Sequence, residues 1–140
     1  MFRPDRGHRA LPHTADLRVQ AWAPTREECI VEAIAGLADS FAETSGVRPQ
    51  WCVDAELAAL SDEDALVAAL DEVIYVLDTQ GGVPVGAALE QVEGGWRLRL
   101  ELAAVDGVLL RGAVPKATSL HALRFAAAGG TWSCEVTIDV

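Results

Sequence analysis

From Thr131 to Asp139 the chain alternates side by side, and this single run constrains the fold more than any other. Trp132, Cys134, Val136 and Ile138 fall on one face; Ser133, Glu135, Thr137 and Asp139 fall on the other. A period of two belongs to a half-buried β-strand, because successive side chains point to opposite faces of a sheet. The strand needs a second strand on each flank and an apolar layer beneath it. It also fixes Asp139 on the face away from the core, a position that suits a surface ligand better than a buried catalytic acid.

The rest of the chain supplies those partners. Leu17, Val19 and Ala21 alternate with Arg18, Gln20 and Trp22, a second half-buried strand over 16–23. Pro24-Thr25 breaks it, and Thr25-Arg26-Glu27-Glu28 has the form of a capping box. A helix is predicted to follow, with Ile30, Ala33, Ile34, Leu37 and Phe41 on its apolar stripe. Trp51 to Leu57 alternates again. Ser61-Asp62-Glu63-Asp64 caps a second helix, whose stripe is Leu66, Ala69, Leu70, Val73 and Leu77. Ile74, Tyr75 and Val76 widen that stripe and predict deep burial, and Gly81-Gly82 stops the helix. Glu93-Gly94-Gly95 and Gly129-Gly130 are hairpin signals between the strand-like runs 87–92, 96–103, 123–127 and 132–139. Two helices and six or seven strands imply an α+β two-layer sandwich: a mostly antiparallel or mixed sheet with two helices packed on one face. Residues 1–140 are expected to form one domain.

Charge narrows the partners. With 21 acidic against 11 basic residues the net charge is -10, which repels a phosphate backbone, so no direct nucleic-acid binding is expected. A cation or a protein with a basic surface suits it better. Arg3, Arg6, Arg9 and Arg18 form a basic head, read here as a loose N-terminus. Cys29, Cys52 and Cys134 lack metal-site spacing and read as buried free thiols of a reducing compartment. No run has the length of a signal core or membrane span. A cytoplasmic monomer without membrane contact is expected.

The chemistry-bearing residues are few. Asp139 stands beside Val140, and His13-Thr14-Ala15-Asp16 lies near the other end of the sequence. On spacing alone, a solvated chain end with an incidental Asp is the simpler reading. The sharper one brings Asp16 to Asp139 and the Val140 α-carboxylate; three such groups are stable together only around a cation or partly protonated. An oxygen-only set of Asp16, Asp139 and Val140 favours a hard divalent cation over zinc, with calcium expected ahead of magnesium. His13 reads as a partner that orients a carboxylate. Lys116 and His121 follow Pro115 on a polar loop entering a strand. There is no Gly-rich phosphate loop and no nucleophile elbow, and nothing requires an enzyme.

Taken together these residues resemble the archease family over nearly the whole chain. His13-Thr14-Ala15-Asp16 is similar to its opening motif, and Thr25, Glu27, Glu28, Ala33 and the small step Ala35-Gly36 to its first helix. Leu66 through Thr79, with Leu70, Leu77 and Asp78, resembles its second helix. Lys116-Ala117 with His121 looks like a Lys-Ala-x-Thr-Tyr-His element, and Ile138-Asp139-Val140 like its hydrophobic-Asp-hydrophobic finish. The chain departs from the pattern at Pro12, Arg18, Ser119 and Leu120.

The resemblance implies a non-enzymatic, metal-binding activator of the GTP- and manganese-dependent RNA ligase of tRNA splicing and RNA repair. Its role would be to promote ligase guanylylation and multiple turnover. It further implies Asp16 and Asp139 as metal ligands, completed by the Val140 carboxylate. His13, Lys116 and His121 become candidate contacts to the ligase or its nucleotide. Two alternatives stand beside it: a general chaperone or modulator of RNA-modifying enzymes acting through an acidic surface without metal, and, last, a metal-dependent phosphate-ester hydrolase.

Overall fold

The computed structural model describes residues 5–13, 16–58 and 61–140, with the backbone alone for Pro12 and His13. Chain order is β1 (Gly7–His13), β2 (Asp16–Ala23), α1 (Arg26–Asp39), β3 (Ala42–Glu43), β4 (Trp51–Leu57) and α2 (Asp62–Gln80). β5 (Gly82–Val92), β6 (Gly95–Ala104), β7 (Leu109–Leu110), β8 (Ala117–Ala128) and β9 (Thr131–Asp139) follow. The strands divide into a four-stranded sheet in the order β1-β2-β9-β8, a three-stranded sheet β4-β6-β5, and the short pair β3-β7. Every pairing is antiparallel. The α+β sandwich read from periodicity is what forms.

Both helices start where the capping residues place them. Thr25 is extended and its hydroxyl oxygen accepts the Glu28 N–H at 3.1 Å. The Thr25 hydroxyl in turn donates to Glu28 Oε1 at 2.8 Å, so each residue fixes the other. Ser61 accepts the Asp64 N–H at 3.1 Å, and three acidic residues occupy the positive first turn of α2. Gly81 ends α2 in the left-handed region at φ 65, which a residue without Cβ adopts at no steric cost.

The apolar stripes of the helices are what unite the two larger sheets. α1 packs on β2 and β5, and α2 packs on β8 and β5. Ile30, Ile34 and Leu37 of α1 and Leu66, Leu70 and Val73 of α2 are sealed from solvent in one cluster with Val19, Leu98, Leu100, Val136 and Ile138. That cluster fixes the face of β2 and β9 that carries Asp16 and Asp139, because their alternate residues are committed to the core.

Several sequence readings need correcting. α1 ends at Asp39, so Phe41, expected on its stripe, lies beyond the helix and packs with Ala38 and Leu77 in a smaller core cluster. The basic head is not loose from Arg6 onward: β1 is a full edge strand, and Arg6 pairs with Glu28 and Glu32 of α1. Cys52 is exposed, since it alternates with Trp51 and Val53 on the outer side of β4; only Cys29 and Cys134 are buried. Tyr75 is 59% exposed, so the widened stripe of α2 ends in solvent and not in the core. β8 also begins six residues earlier than its apolar pattern suggests, at Ala117, because its register breaks between Ser119 and Arg124.

Candidate functional site

β2 begins at Asp16 and β9 ends at Asp139, and the antiparallel register sets these two residues directly opposite each other. Opposed residues share a face of the sheet, with Cβ atoms about 4.5–5.5 Å apart. On the outer flank of β2, His13 at the end of β1 lies opposite Asp16 in register. On the outer flank of β9, Ala117 at the start of β8 lies opposite Asp139, and the Lys116 N–H donates to the Asp139 carbonyl at 2.8 Å. One end of the four-stranded sheet therefore collects His13, Asp16, Asp139 and the backbone of Lys116 in a row. Thr14 and Ala15, within the opening motif, lie outside the described residues, as does the His13 side chain.

The row is anchored from below. Ile138 is fully buried, and Val140 packs partly buried against the main core cluster. Asp139 itself is exposed and Asp16 half-buried, as the alternation requires. Among the described residues no three His, Cys, Asp or Glu side chains come together in an arrangement that could hold a metal ion. The side-chain oxygens gathered here come from two residues, Asp16 and Asp139.

Four residues along the same face, Glu135 is buried at 7% exposure although it lies on the outer side of β9. Arg18 Nη2 reaches Glu135 Oε1 at 2.6 Å, Gln20 Nε2 donates to the same oxygen at 2.6 Å, and Arg124 stands 3.7 Å from Oε2. The Arg18 guanidinium first, and then the Gln20 amide, hold the Glu135 carboxyl below its ordinary range against the opposing effect of burial. Arg18 is thus committed to a structural pair.

His121 and Lys116 are not brought to one point by a continuous strand. β8 leaves register after Ser119, and Ala122 takes φ 58, an unusual conformation for a residue with a Cβ. His121 is exposed within this bulge, its N–H donating to Ser119 Oγ at 3.2 Å, and Leu120 beside it is 70% exposed. Lys116 lines a shallow cleft of about 530 Å³ between α2 and the segment entering β8, with Asp71, Tyr75, Asp78 and Val114.

One polar cluster had no sequence signal strong enough to single it out. His8, on β1, is clamped between two carboxylates of α1: Nδ1 lies 2.8 Å from Glu32 Oε1 and Nε2 lies 2.7 Å from Asp39 Oδ2. Burial pulls the His8 pKa down, but the hydrogen bonds and charges of Glu32 and Asp39 together outweigh it and raise the value. Glu32 and Asp39 sit seven residues apart on a helix, the spacing of two turns on one face, which only the placement of β1 makes meaningful. Cys29 and Cys134 form another unheralded contact. The Cys29 neighbour, and then burial, push the Cys134 thiol well above its usual range, so it stays protonated.

The sequence model of the archease protein family matches residues 8–140. The chain belongs to the archease family. It is similar to a probable protein archease of Mycobacterium tuberculosis, 46% identical over 134 residues, which are 96% of this chain and 75% of that one. It is also similar to a protein archease of Pyrobaculum neutrophilum, 27% identical over 135 residues and 91% of each chain. Among solved structures, protein 1598 of Methanobacterium thermoautotrophicum superposes with a TM-score of 0.77 at 20% identity, over 96% of this chain and 99% of that one. An archease of Thermotoga maritima, described as a possible chaperone, superposes with a TM-score of 0.67 at 19% identity, over 100% of this chain and 98% of that one. At these identities the superpositions establish a common archease fold. No helix among the described residues is long and apolar enough to cross a membrane.

Proposed function

We propose that this archease is a metal-binding activator of the GTP-dependent RNA ligase of tRNA splicing and RNA repair, acting on a protein partner and forming no bond itself. The observation that carries the reading is the register that sets Asp16 opposite Asp139 at the end of the sheet. Like charges directly opposed across two strands destabilise a sheet unless a cation or proton intervenes. Asp139 and Val140 are also held in place, by the Lys116 N–H and by core packing. Such anchoring suits a ligand set better than a frayed end.

The donor chemistry fits a hard divalent cation. Asp16 and Asp139 would hold it through carboxylate oxygens, with the Val140 α-carboxylate as a third, and calcium is proposed ahead of magnesium because a loose oxygen set suits a larger, more tolerant ion. When bound, such an ion supplies positive charge and an open coordination position at the sheet's end. The chain's own residues do the rest. The β2–β9 register brings the carboxylates together, and the Lys116 N–H fixes the Asp139 backbone.

The test is multiple-turnover ligation by the cognate ligase, limiting in amount, with GTP and manganese, with and without this protein. Acceleration that Asp139→Asn abolishes together with calcium binding supports the reading. Normal acceleration by Asp139→Asn would detach the metal from the role, and no acceleration by the unmodified protein would overturn the role. The second reading, a chaperone acting through acidic surface without metal, draws on the acidic face of α2 and on the description of the Thermotoga protein. Stimulation undiminished by strong chelator would favour it.

A further inference from the structure

The exposed apolar residues of this protein are not scattered. Among the described residues, of the five large hydrophobic side chains that stand in solvent, three (Tyr75, Val114 and Leu120) follow the seam where α2 packs beside β8. Tyr75 and Val114 line the cleft of about 530 Å³ that also contains Lys116. A second open cleft of about 550 Å³ continues the seam toward the start of α2, lined by Val67, Leu120 and Leu123. Asp71 borders both, so the two clefts adjoin along the α2–β8 seam, called the groove below.

The groove is made by local sequence features that serve no purpose in the core. α2 carries Tyr75 on the side opposite its buried Leu66–Leu70–Val73 stripe, where a helix is ordinarily polar. β8 breaks register at Ser119, adopts φ 58 at Ala122, and thereby lifts Leu120 out to 70% exposure. Large apolar side chains exposed along one seam and rimmed by polar groups mark an interaction site.

Its rim states what kind of partner it fits. Glu63, Asp64, Asp71 and Asp78 border the groove against the single cation Lys116. Among the described residues no ion pair neutralises any of these four carboxylates, whereas Glu27, Glu28, Glu32 and Asp62 nearby are all paired. A second copy of the chain would set the same four carboxylates against themselves, and a phosphate backbone or anionic bilayer would be repelled in the same way. A segment with an apolar face and Lys or Arg on its flanks satisfies both parts of the groove.

We propose that the α2–β8 seam is the docking groove for a basic, amphipathic segment of the protein partner. The proposal rests on the activator reading for which protein that is, and it adds where that protein is gripped and by what chemistry. Position supports it: the groove ends at Lys116, whose N–H holds Asp139. A segment seated there would set its owner against the Asp16–Asp139 end of the sheet. Leu120 and Lys116 then become contact residues for different reasons, the first apolar and the second marking the groove's end.

The experiment measures binding of the purified cognate ligase, and separately of a helical probe peptide with a leucine face and lysine flanks, to four proteins. These are the unmodified chain, Asp71→Lys/Asp78→Lys, Tyr75→Ser/Leu120→Ser, and a control with the same charge change elsewhere, Glu56→Lys/Glu93→Lys. All the substituted side chains are solvent-facing, so each variant should fold, which circular dichroism checks. The expected result is that each seam variant binds the ligase at least about tenfold more weakly, the control binds within about twofold, and only the charge reversal flattens the dependence on salt. Seam variants that bind ligase and peptide as the unmodified chain does would overturn the groove while leaving the activator reading intact. Seam-dependent peptide binding without any ligase binding would uphold the groove and overturn the activator reading. Loss of a dimer in Tyr75→Ser/Leu120→Ser would assign the seam to a second copy and overturn the proposal.

Discussion

Asp16 and Asp139, separated by most of the sequence, are direct cross-strand neighbours at the end of one sheet. Two carboxylates in that relation repel, and the Asp139 backbone, tied to Lys116, holds them there. The protein should therefore respond to Asp139→Asn with opposite signs in two conditions. In strong chelator the substitution removes the repulsion and should raise stability by a few tenths to about 1 kcal/mol. In millimolar calcium the unmodified protein should gain stability that the variant does not. Urea midpoints in the two buffers decide it, and equal midpoints for both proteins in calcium would sink the metal reading.

His8 makes the attachment of β1 to α1 depend on pH. Glu32 and Asp39 face its two ring nitrogens, Arg6 shares Glu32, and Arg111 bonds the Asp39 carbonyl on the far side. Because its folded pKa is raised from about 6.5, the stabilisation is fully present below that value and is lost as pH rises through the higher folded value. The stability difference between the unmodified protein and His8→Gln should be largest near pH 6 and shrink toward pH 9. A difference that grows with pH would show that His8 acts as a neutral hydrogen-bonding group.

Gly36 lies where α1 meets the first sheet. A Cβ there would come within 2.9 Å of Val19 Cγ1 and 3.1 Å of the His8 Cβ. Ala in a helix interior is ordinarily favoured over Gly by about 1 kcal/mol, but overpacking a closed core commonly costs about 1–3 kcal/mol. Val19 is fully buried and cannot yield easily. Gly36→Ala should thus be destabilising on balance, by about 1 kcal/mol, and a raised melting temperature would show that β1 can move aside.

Thr25→Ala removes the oxygen that accepts the Glu28 N–H and the hydroxyl that Glu28 receives. The expected loss is about 1 kcal/mol, read from chemical denaturation. Thr25→Ser should retain most of it, since the capping oxygen is kept.

Much of this fold was legible along the chain, and the reason is local. Thr25, Ser61 and Gly81 set helix ends by bonds within a few residues. The alternation of 16–23, 96–103 and 132–139 fixed which side chains face the core, including the outward placement of Asp139. The misread segments are those whose state depends on distant contacts. β1 carries His8, Arg9 and Pro12 and has little strand character of its own; it is an ordered edge strand because β2 pairs with it and α1 supplies Glu28, Glu32 and Asp39. Glu135 reads as a surface residue, yet Arg18, Gln20 and Arg124 from two neighbouring strands enclose it. Tyr75 reads as core because apolarity alone does not tell which side of a thickened stripe a second layer will cover.

The sequence by itself determined the class of fold, where both helices start and the face on which the residues of the alternating strands lie, because periodicity and capping act over one or two turns of chain. It also carried the family, through motifs spread from His13 to Val140. Only the tertiary structure decided that Asp16 meets Asp139, that β8 loses register with β9 around Leu120, and that the α2–β8 seam stays open. Register and layer packing are set by which apolar surfaces find one another across long loops, and no local pattern contains that information.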